Sequence, residues 1–197
     1  MAYQSLLHER RRALHARIVD AIEGRHGDRL AEQVERLAHH AFHGAVWDKA
    51  LTYLCQAGAK AFARSANHEA AGHFEQALEV LGHVPEQRET LEHAIDVRID
   101  LRHALNSLGD IARMNDILRE AESLAETIGD QPRLGRVSAF LTVSLFTSGA
   151  DRAVESGRRA LAIGAALGDV GLQVAGRYYL GLAPRCLGAP PGRPPPR

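Results

Sequence analysis

Apolar residues along this chain recur at intervals of three and four, the spacing that places them on one face of an α-helix. Strand patterns, in which β-branched and aromatic residues alternate with polar ones, are nearly absent. Glycine, asparagine and proline separate the periodic segments, which span about 3–22, 29–42, 46–64, 68–81, 88–108, 111–128, a segment starting near 132, 151–167 and a segment starting near 170. The pattern predicts an all-α fold of helices joined by short turns.

The glycines that follow these segments have a regular spacing of their own. Gly109 and Gly149 lie about 40 positions apart, Gly129 and Gly168 about 39, and Gly188 follows Gly149 by about 39. A period of this length in a helical sequence is typical of stacked helix pairs. Each pair buries one face on itself and needs a neighbour for the other. The cadence therefore predicts a right-handed α-solenoid of antiparallel helix hairpins.

The apolar stripes combine small and large side chains, as in Ala50, Leu54 and Ala57 and again in Ala70 and Phe74. Alanine lets two helices approach closely, while the larger side chains fill the space that remains. This small–large pattern resembles the helices of tetratricopeptide-type repeats. The period near 39 residues is longer than the usual repeat of about 34, and resembles the lengthened repeats of large bacterial signalling ATPases and regulators.

The N-terminal half resembles a narrower group of proteins. The segments YQSLLHERRRALHARIVDAIE and LAEQVERLAHHAFHGAVWDKALTYLCQAGAKAFARSANHEAAGHFEQALEVL are similar to one region of multidomain bacterial proteins. Those proteins join a class III adenylate/guanylate cyclase domain to a predicted signalling ATPase module and then to tetratricopeptide-like repeats. The resemblance covers residues 3–187. It implies N-terminal hairpins in residues 1–84, which would follow the ATPase module, and repeats of about 39–40 residues in 85–188.

The parts that carry chemistry in those proteins have no counterpart in this sequence. It contains no GxxxxGK[ST] loop to cradle nucleotide phosphates. It also shows no sheet on which a cyclase could hold paired metal-binding aspartates. The resemblance therefore transfers no catalytic or cofactor-binding residue, and it implies that the cyclase and ATPase domains are absent from this chain.

Residues 189–197 break the helical pattern. Pro190 and the run Pro194, Pro195 and Pro196 are incompatible with a continuing helix. We expect a disordered Pro-rich tail, with a partner-binding Pro-rich segment as the alternative. Because the spacing of 39 to 40 residues would place the next hairpin here, we expect the chain to be a truncated or frame-shifted piece of a longer array.

Composition bears on partners and location more than on fold. The chain has 24 basic and 24 acidic side chains and a formal net charge of zero, which argues against a dominant nucleic-acid or anionic-membrane surface. Cys55 and Cys186 form no CxxC pair, and no apolar run approaches the roughly 20 residues that cross a bilayer. These features predict a cytoplasmic protein. The basic run Arg10, Arg11 and Arg12 is expected to form a solvated or packing face of the first helix rather than a contact site.

Because the chain contains eleven histidines, metal binding is the main chemical function that its composition suggests. His39 and His43 share a helix face that a metal can bridge, whereas His40 is expected to point elsewhere. A zincin needs glutamate where His40 stands, and no third ligand is identifiable. The sequence thus favours surface or packing histidines and predicts no metal, cofactor or catalytic residue. His8, Glu9 and His15 are dispersed along one helix, without a matching nucleophile signature.

Two further motifs have ordinary structural explanations. GDRL and GDQPRL look like anion-binding loops, but a Gly-Asp helix boundary explains both. Tyr178 and Tyr179 are able to stack a base or a peptide. A buried position between helices is favoured for at least one of them.

Together these features predict a noncatalytic protein–protein interaction scaffold or sensor arm of a bacterial signalling protein. Its partner would be a protein or peptide on the concave face, with no nucleic acid and no membrane. Binding of this partner would change the curvature of the helix stack, and that change would be passed to an output domain. This step is implied by the resemblance. One alternative is the effector-binding repeat domain of a DNA-linked transcriptional activator. A less favoured alternative is a metal-dependent hydrolase built on the histidines.

Overall fold

The computed structural model describes residues 2–145 and 150–186, with side chains except those of 2–5, 28, 150 and 182–186. These ranges contain helices and turns and no strand, which confirms the all-α class. The α-helices are α1 (Ala2–His26), α2 (Val34–His43), α3 (Trp47–Ala63), α4 (Asn67–Leu81), α5 (Arg88–Leu108), α6 (Ile111–Ile128), α7 (Gln131–Ser144), α8 (Ala150–Leu167) and α9 (Val170–Cys186). Gly149, Gly188 and the tail 189–197 lie outside the described residues.

The Gly-Asp pairs of the sequence act as combined helix ends and helix starts. Glycines with left-handed backbone end α5, α6 and α8: Gly109 (φ +74°), Gly129 (φ +68°) and Gly168 (φ +67°). Each is followed by an aspartate whose carboxylate accepts a hydrogen bond from the backbone N–H three residues later: Asp110, Asp130 and Asp169. This geometry confirms that GDQPRL is a helix boundary.

The segment between α1 and α2 differs from the prediction. GDRL lies in a 3-10 helix, Gly27–Glu32, instead of starting the second α-helix. Arg29, the predicted first residue, has φ −116° and ψ 28°, outside the helical range, and α2 begins only at Val34. α1 in turn continues through Gly24, because one exposed glycine costs a helix only about 1 kcal/mol. Apolar spacing alone could not distinguish this tight turn from an α-helix.

The chain divides into two compact units, Met1–Leu108 and Gly109–Arg197. In the first unit α1 packs against α2, α2 against α3, α3 against α4, and α4 against α5. In the second unit α6 to α9 do the same, and α7 also contacts α9. Packing between sequence neighbours is what helix hairpins produce. This division by packing lies at 108/109, whereas the sequence boundary at 84/85 follows the repeat spacing.

The predicted apolar stripes form the buried faces of most helices. Five alanines of α3 and α4 have no exposed surface: Ala50, Ala57, Ala61, Ala70 and Ala77. The large side chains among them are buried as well: Leu37, Leu54, Phe74 and Ile95 in the first unit, and Leu118, Val137 and Leu141 in the second. Among the described residues, no helix has both the length and the apolar composition to cross a lipid bilayer.

The stripe predicted for the first helix is only partly buried. Val19 and Ile22, in the second half of α1, are buried. Leu6, Leu7 and Leu14 are exposed by 52%, 44% and 56%. The physical reason is length: α2 has 10 residues against 25 in α1, so it covers only part of its neighbour.

Candidate functional site

Four histidine rings from two helices meet in the first unit: His15 on α1, and His39, His40 and His43 on α2. Nδ1 of His15 lies 2.8 Å from Nδ1 of His40, so one ring donates a hydrogen bond to the other. The ring centroids of His39 and His43 are 4.4 Å apart. His15, His39 and His40 each offer a ring nitrogen, and these three atoms lie within 4.8 Å of one another. We call His15, His39, His40 and His43 the histidine cluster.

A close approach between the two helices holds the cluster together. A Cβ atom at Gly44 would lie 2.8 Å from the backbone nitrogen of Ala16 and 2.9 Å from the carbonyl oxygen of His40. Only glycine allows this separation, so the end of α2 lies directly against α1 beside His15. The rings of His39 and His40 are both within 6 Å of the ring of His15.

The expectation that His40 points away from the possible metal pair is therefore wrong. Consecutive residues of a helix project about 100° apart, which is why His40 and His39 look unrelated in sequence. His15 of the neighbouring helix lies where both rings reach it, at centroid distances of 5.0 and 5.9 Å. It is also the third imidazole that the sequence did not identify.

The cluster disfavours positive charge on its own rings. Partial desolvation within the cluster lowers the pKa of His39 and His40 below the ordinary value, and the neighbouring imidazoles lower it further. Neutral imidazole is the form that binds metal ions. His8 and Glu9 are exposed on α1, and His15 belongs to the cluster, so the three form no acid–base group.

A second candidate site is a groove of about 830 Å³ in the second unit, formed by α6, α7 and α8. Leu141 and Leu145 line it from below and are almost fully buried, at 1% and 5% exposure. Four arginines and two glutamates line it, an excess of two positive charges: Arg119, Arg152, Arg158, Arg159, Glu122 and Glu155. We call this feature the arginine groove. It is a local basic site on a chain whose total charge is zero.

The arginines of the groove differ in how they are paired. Arg159 lies 3.1 Å from Glu122 and also pairs with Glu126. Burial raises the pKa of Glu122 and outweighs the opposing effect of Arg159. Arg152 and Arg158 form no ion pair with any described residue, and both are exposed. They are the cations in this groove that remain for a ligand.

The remaining sequence candidates are mostly surface residues. Arg10, Arg11 and Arg12 are all exposed on α1. Tyr178 is 63% exposed, and Tyr179 is half-buried. The expectation of a buried position between helices for at least one tyrosine therefore holds only in part, for Tyr179, which lies beside Arg136 and Phe140 of α7. The reason is that α9 packs against α7 and α8 on one side and presents an exposed stripe on the other: Val170, Val174 and Tyr178.

The two cysteines differ in what the structure says of them. Burial raises the pKa of the Cys55 thiol to about 11, and nearby aspartates add to the effect. Such a thiol carries little thiolate at neutral pH, so Cys55 has the character of a packing residue. Cys186 ends α9, and its side chain lies outside the described residues.

No protein-family model matches this chain, and no curated protein matches it. Among solved structures it is similar to the crystal structure of BtubC (BKLC) from P. vanneervenii. The sequence identity is 18%, the TM-score is 0.53, and the match covers 96% of this chain and 95% of that chain. At this identity the similarity concerns the fold alone. The resemblance to cyclase–ATPase proteins stays a prediction.

Proposed function

We propose that this chain is a cytoplasmic, noncatalytic binding module, a tetratricopeptide-like α-solenoid that serves as a scaffold or sensor arm of a bacterial signalling protein. Its partner is a protein that contributes an acidic peptide segment to the arginine groove. The hairpin packing within each unit and the glycine-aspartate boundaries support the repeat architecture. The observation that carries the binding function is the pair of free guanidinium groups of Arg152 and Arg158 beside buried leucines.

The groove has the chemistry of a peptide site rather than of an active site. Its volume of about 830 Å³ lies within the range of about 300–1,000 Å³ found for ligand sites. A guanidinium group binds a carboxylate through two parallel hydrogen bonds, which fixes direction as well as charge. Ala162, an exposed residue of the lining, and the aliphatic parts of the arginine side chains offer apolar surface for the side chains between the acidic positions of a peptide.

A binding titration with charge-matched variants tests this function. A fluorescein-labelled peptide that alternates Glu with Leu is titrated with the full chain, and a peptide with Lys in place of Glu is the reference. We expect Arg158→Glu and Arg152→Glu each to weaken binding by about five- to tenfold, the size of a surface ion pair lost and a repulsion gained. Arg177→Glu, an exposed residue on α9 outside the groove, is the matched control and should bind as wild type does.

The results distinguish binding at the arginine groove from attraction by the total charge of the chain. Equal losses in Arg177→Glu and Arg158→Glu would mean that only total charge matters, and the groove would be rejected. Binding of the Lys peptide as tight as that of the Glu peptide would reject it as well. The noncatalytic part has its own assay, in which the purified chain is incubated with ATP or GTP and magnesium. We expect no cyclic nucleotide, and its formation would contradict the proposal.

A further inference from the structure

We propose that His15, His39 and His40 form a binding site for a divalent transition-metal ion that ties α1 to α2. The site shares no residue with the arginine groove, which belongs to the other unit. Its basis is a geometry that the sequence does not show. Three imidazoles from two helices place one nitrogen each within 4.8 Å of the other two.

These distances are close to those of a metal site. Zinc–nitrogen bonds of about 2.0–2.1 Å in a tetrahedral arrangement put neighbouring ligand nitrogens about 3.3 Å apart. The three nitrogens lie within 4.8 Å of one another, so ligation requires them to approach by at most about 1.5 Å. The 2.8 Å hydrogen bond between His15 and His40 shows that these rings already approach more closely than ligation requires.

The backbone that carries the ligands is fixed by packing. Gly44 brings the end of α2 against Ala16, the residue after His15. On the same pair of helices Val19, Leu37 and Ala41 are fully buried. The two helices therefore keep the three histidines at a set distance, and little conformational freedom is lost when an ion binds.

The ligand set selects the class of ion. The group consists of imidazoles with no carboxylate, which suits zinc, nickel, cobalt and copper and does not suit the oxygen-seeking ions calcium and magnesium. Three protein nitrogens leave a fourth position to water or to His43, whose ring centroid lies 4.4 Å from that of His39. His39 is exposed, so the ion can enter from solvent.

The first test is a calorimetric titration of zinc into the full chain, without a polyhistidine tag and after treatment with EDTA. We expect one saturable site with a stoichiometry of about one. His15→Ala, His39→Ala and His40→Ala should each raise the Kd by more than about tenfold, since even the loss of a residue that only supports a ligand costs 10- to 100-fold. His68→Ala, an exposed histidine of α4 outside the histidine cluster, should stay within about twofold of wild type.

His15 is the decisive residue because it is the single proposed ligand from α1. Unchanged zinc affinity in His15→Ala would reduce the site to an ordinary surface pair on α2 and overturn the proposal, as would the absence of saturable binding to wild type. If His15→Ala loses its helical circular-dichroism signal, His15→Gln repeats the test with a polar side chain of similar length. Cobalt provides an independent readout, because three nitrogen ligands in a tetrahedral site give intense visible absorption that His15→Gln should lose.

A second pair of variants tests the helix approach without removing a histidine. Gly44→Ala places a methyl group against the backbone of α1 and should weaken zinc binding by more than about tenfold. Gly24→Ala is the matched control, since it lies on α1 with no atom within 4 Å of its added methyl group, and its affinity should equal that of wild type. Equal affinities for the two variants would overturn the view that the α1–α2 approach builds the site.

Discussion

The substitution Gly58→Ala should destabilise the first unit even though alanine is the better helix former. Gly58 lies inside α3 and faces Phe74 of α4. A Cβ atom at this position would lie 2.6, 2.7 and 2.9 Å from three carbon atoms of the Phe74 ring. Carbon atoms in favourable contact are about 3.5–4.0 Å apart, so the ring would have to move by about 1 Å. Phe74 is only 2% exposed and has no solvent to move into.

The expected free-energy change combines two opposing effects. Replacing glycine by alanine inside a helix stabilises it by about 0.5–1 kcal/mol. Forcing an extra methyl group into a packed core costs about 1–3 kcal/mol. We therefore expect Gly58→Ala to lower the free energy of unfolding by about 1 kcal/mol. Gly72→Ala, inside α4 with no atom within 4 Å of its added methyl group, has only the favourable effect and should raise it by about 0.5–1 kcal/mol.

The assay is urea unfolding followed by the fluorescence of Trp47, the one tryptophan of the chain. Trp47 begins α3 and stacks on His83 at a centroid distance of 4.4 Å, so its emission reports on this unit. Each variant is compared with wild type, with the slope of the unfolding free energy against urea concentration held constant. A second background, Phe74→Leu, removes the ring that the methyl group meets. In that background Gly58→Ala should no longer destabilise the unit. The coupling free energy between the two substitutions should therefore be at least about 1 kcal/mol.

Equal effects of Gly58→Ala and Gly72→Ala would refute the reasoning. Both substitutions add the same methyl group to a helix interior, so a steric contact is the one feature that should separate them. Absence of coupling to Phe74→Leu would locate the strain elsewhere. Either result would mean that α3 and α4 do not approach each other across Gly58 as the structure shows.

Three further outcomes follow from individual side chains. Burial, together with the hydrogen bond to Glu23, raises the pKa of Tyr53 to about 12. In the unfolded chain this tyrosine ionises near pH 10. The stability that the shift provides is therefore complete below about pH 10 and is lost toward pH 12. Urea midpoints of Tyr53→Phe should fall less over that window than those of wild type. With a thiol pKa of about 11, native Cys55 in a Cys186→Ser background should react with iodoacetamide at pH 8 at least about tenfold more slowly than in urea, and equal rates would contradict this. Asp130→Ala removes a buried cap that accepts a 2.9 Å hydrogen bond and should lower the unfolding free energy by about 1–3 kcal/mol, measured by circular dichroism.

Helix positions were the most predictable part of the fold. The bounds of α5 and α6 coincide with the predicted ones, 88–108 and 111–128, because Gly109 and Gly129 end the helices and Asp110 starts the next one. Such signals act through the local backbone, so one sequence contains them. The turn at residues 27–32 has glycine and aspartate too, yet it folds as a 3-10 helix. There the choice depends on how α1 and α2 pack, which local residues do not encode.

The histidine cluster and the Gly58 contact show what sequence reasoning missed. His15 and His40 are 25 positions apart, and their meeting depends on the register between two helices. A usable signal existed in Gly44, because a glycine beside a helix end often marks a close approach to another backbone. Gly58 had a similar signal, since it lies four residues after Leu54 and three before Ala61, on the apolar face of α3. Neither signal identifies the residue that the glycine approaches, because that residue lies on another helix.

The cluster lies beside a stretch of α1 that has few buried side chains. Two fully or nearly buried aliphatic side chains of α1, Val19 and Ile22, join it to the core, and each such side chain is worth about 1.5–3 kcal/mol. An ion at a hundred times its Kd adds about 2.7 kcal/mol of stability, as much as another buried side chain. The contact between Gly44 and Ala16 already sets the position of His15, so the ion would add a second tie between α1 and α2 beside that contact. Metal occupancy would thereby raise the free energy needed to separate this part of α1 from α2.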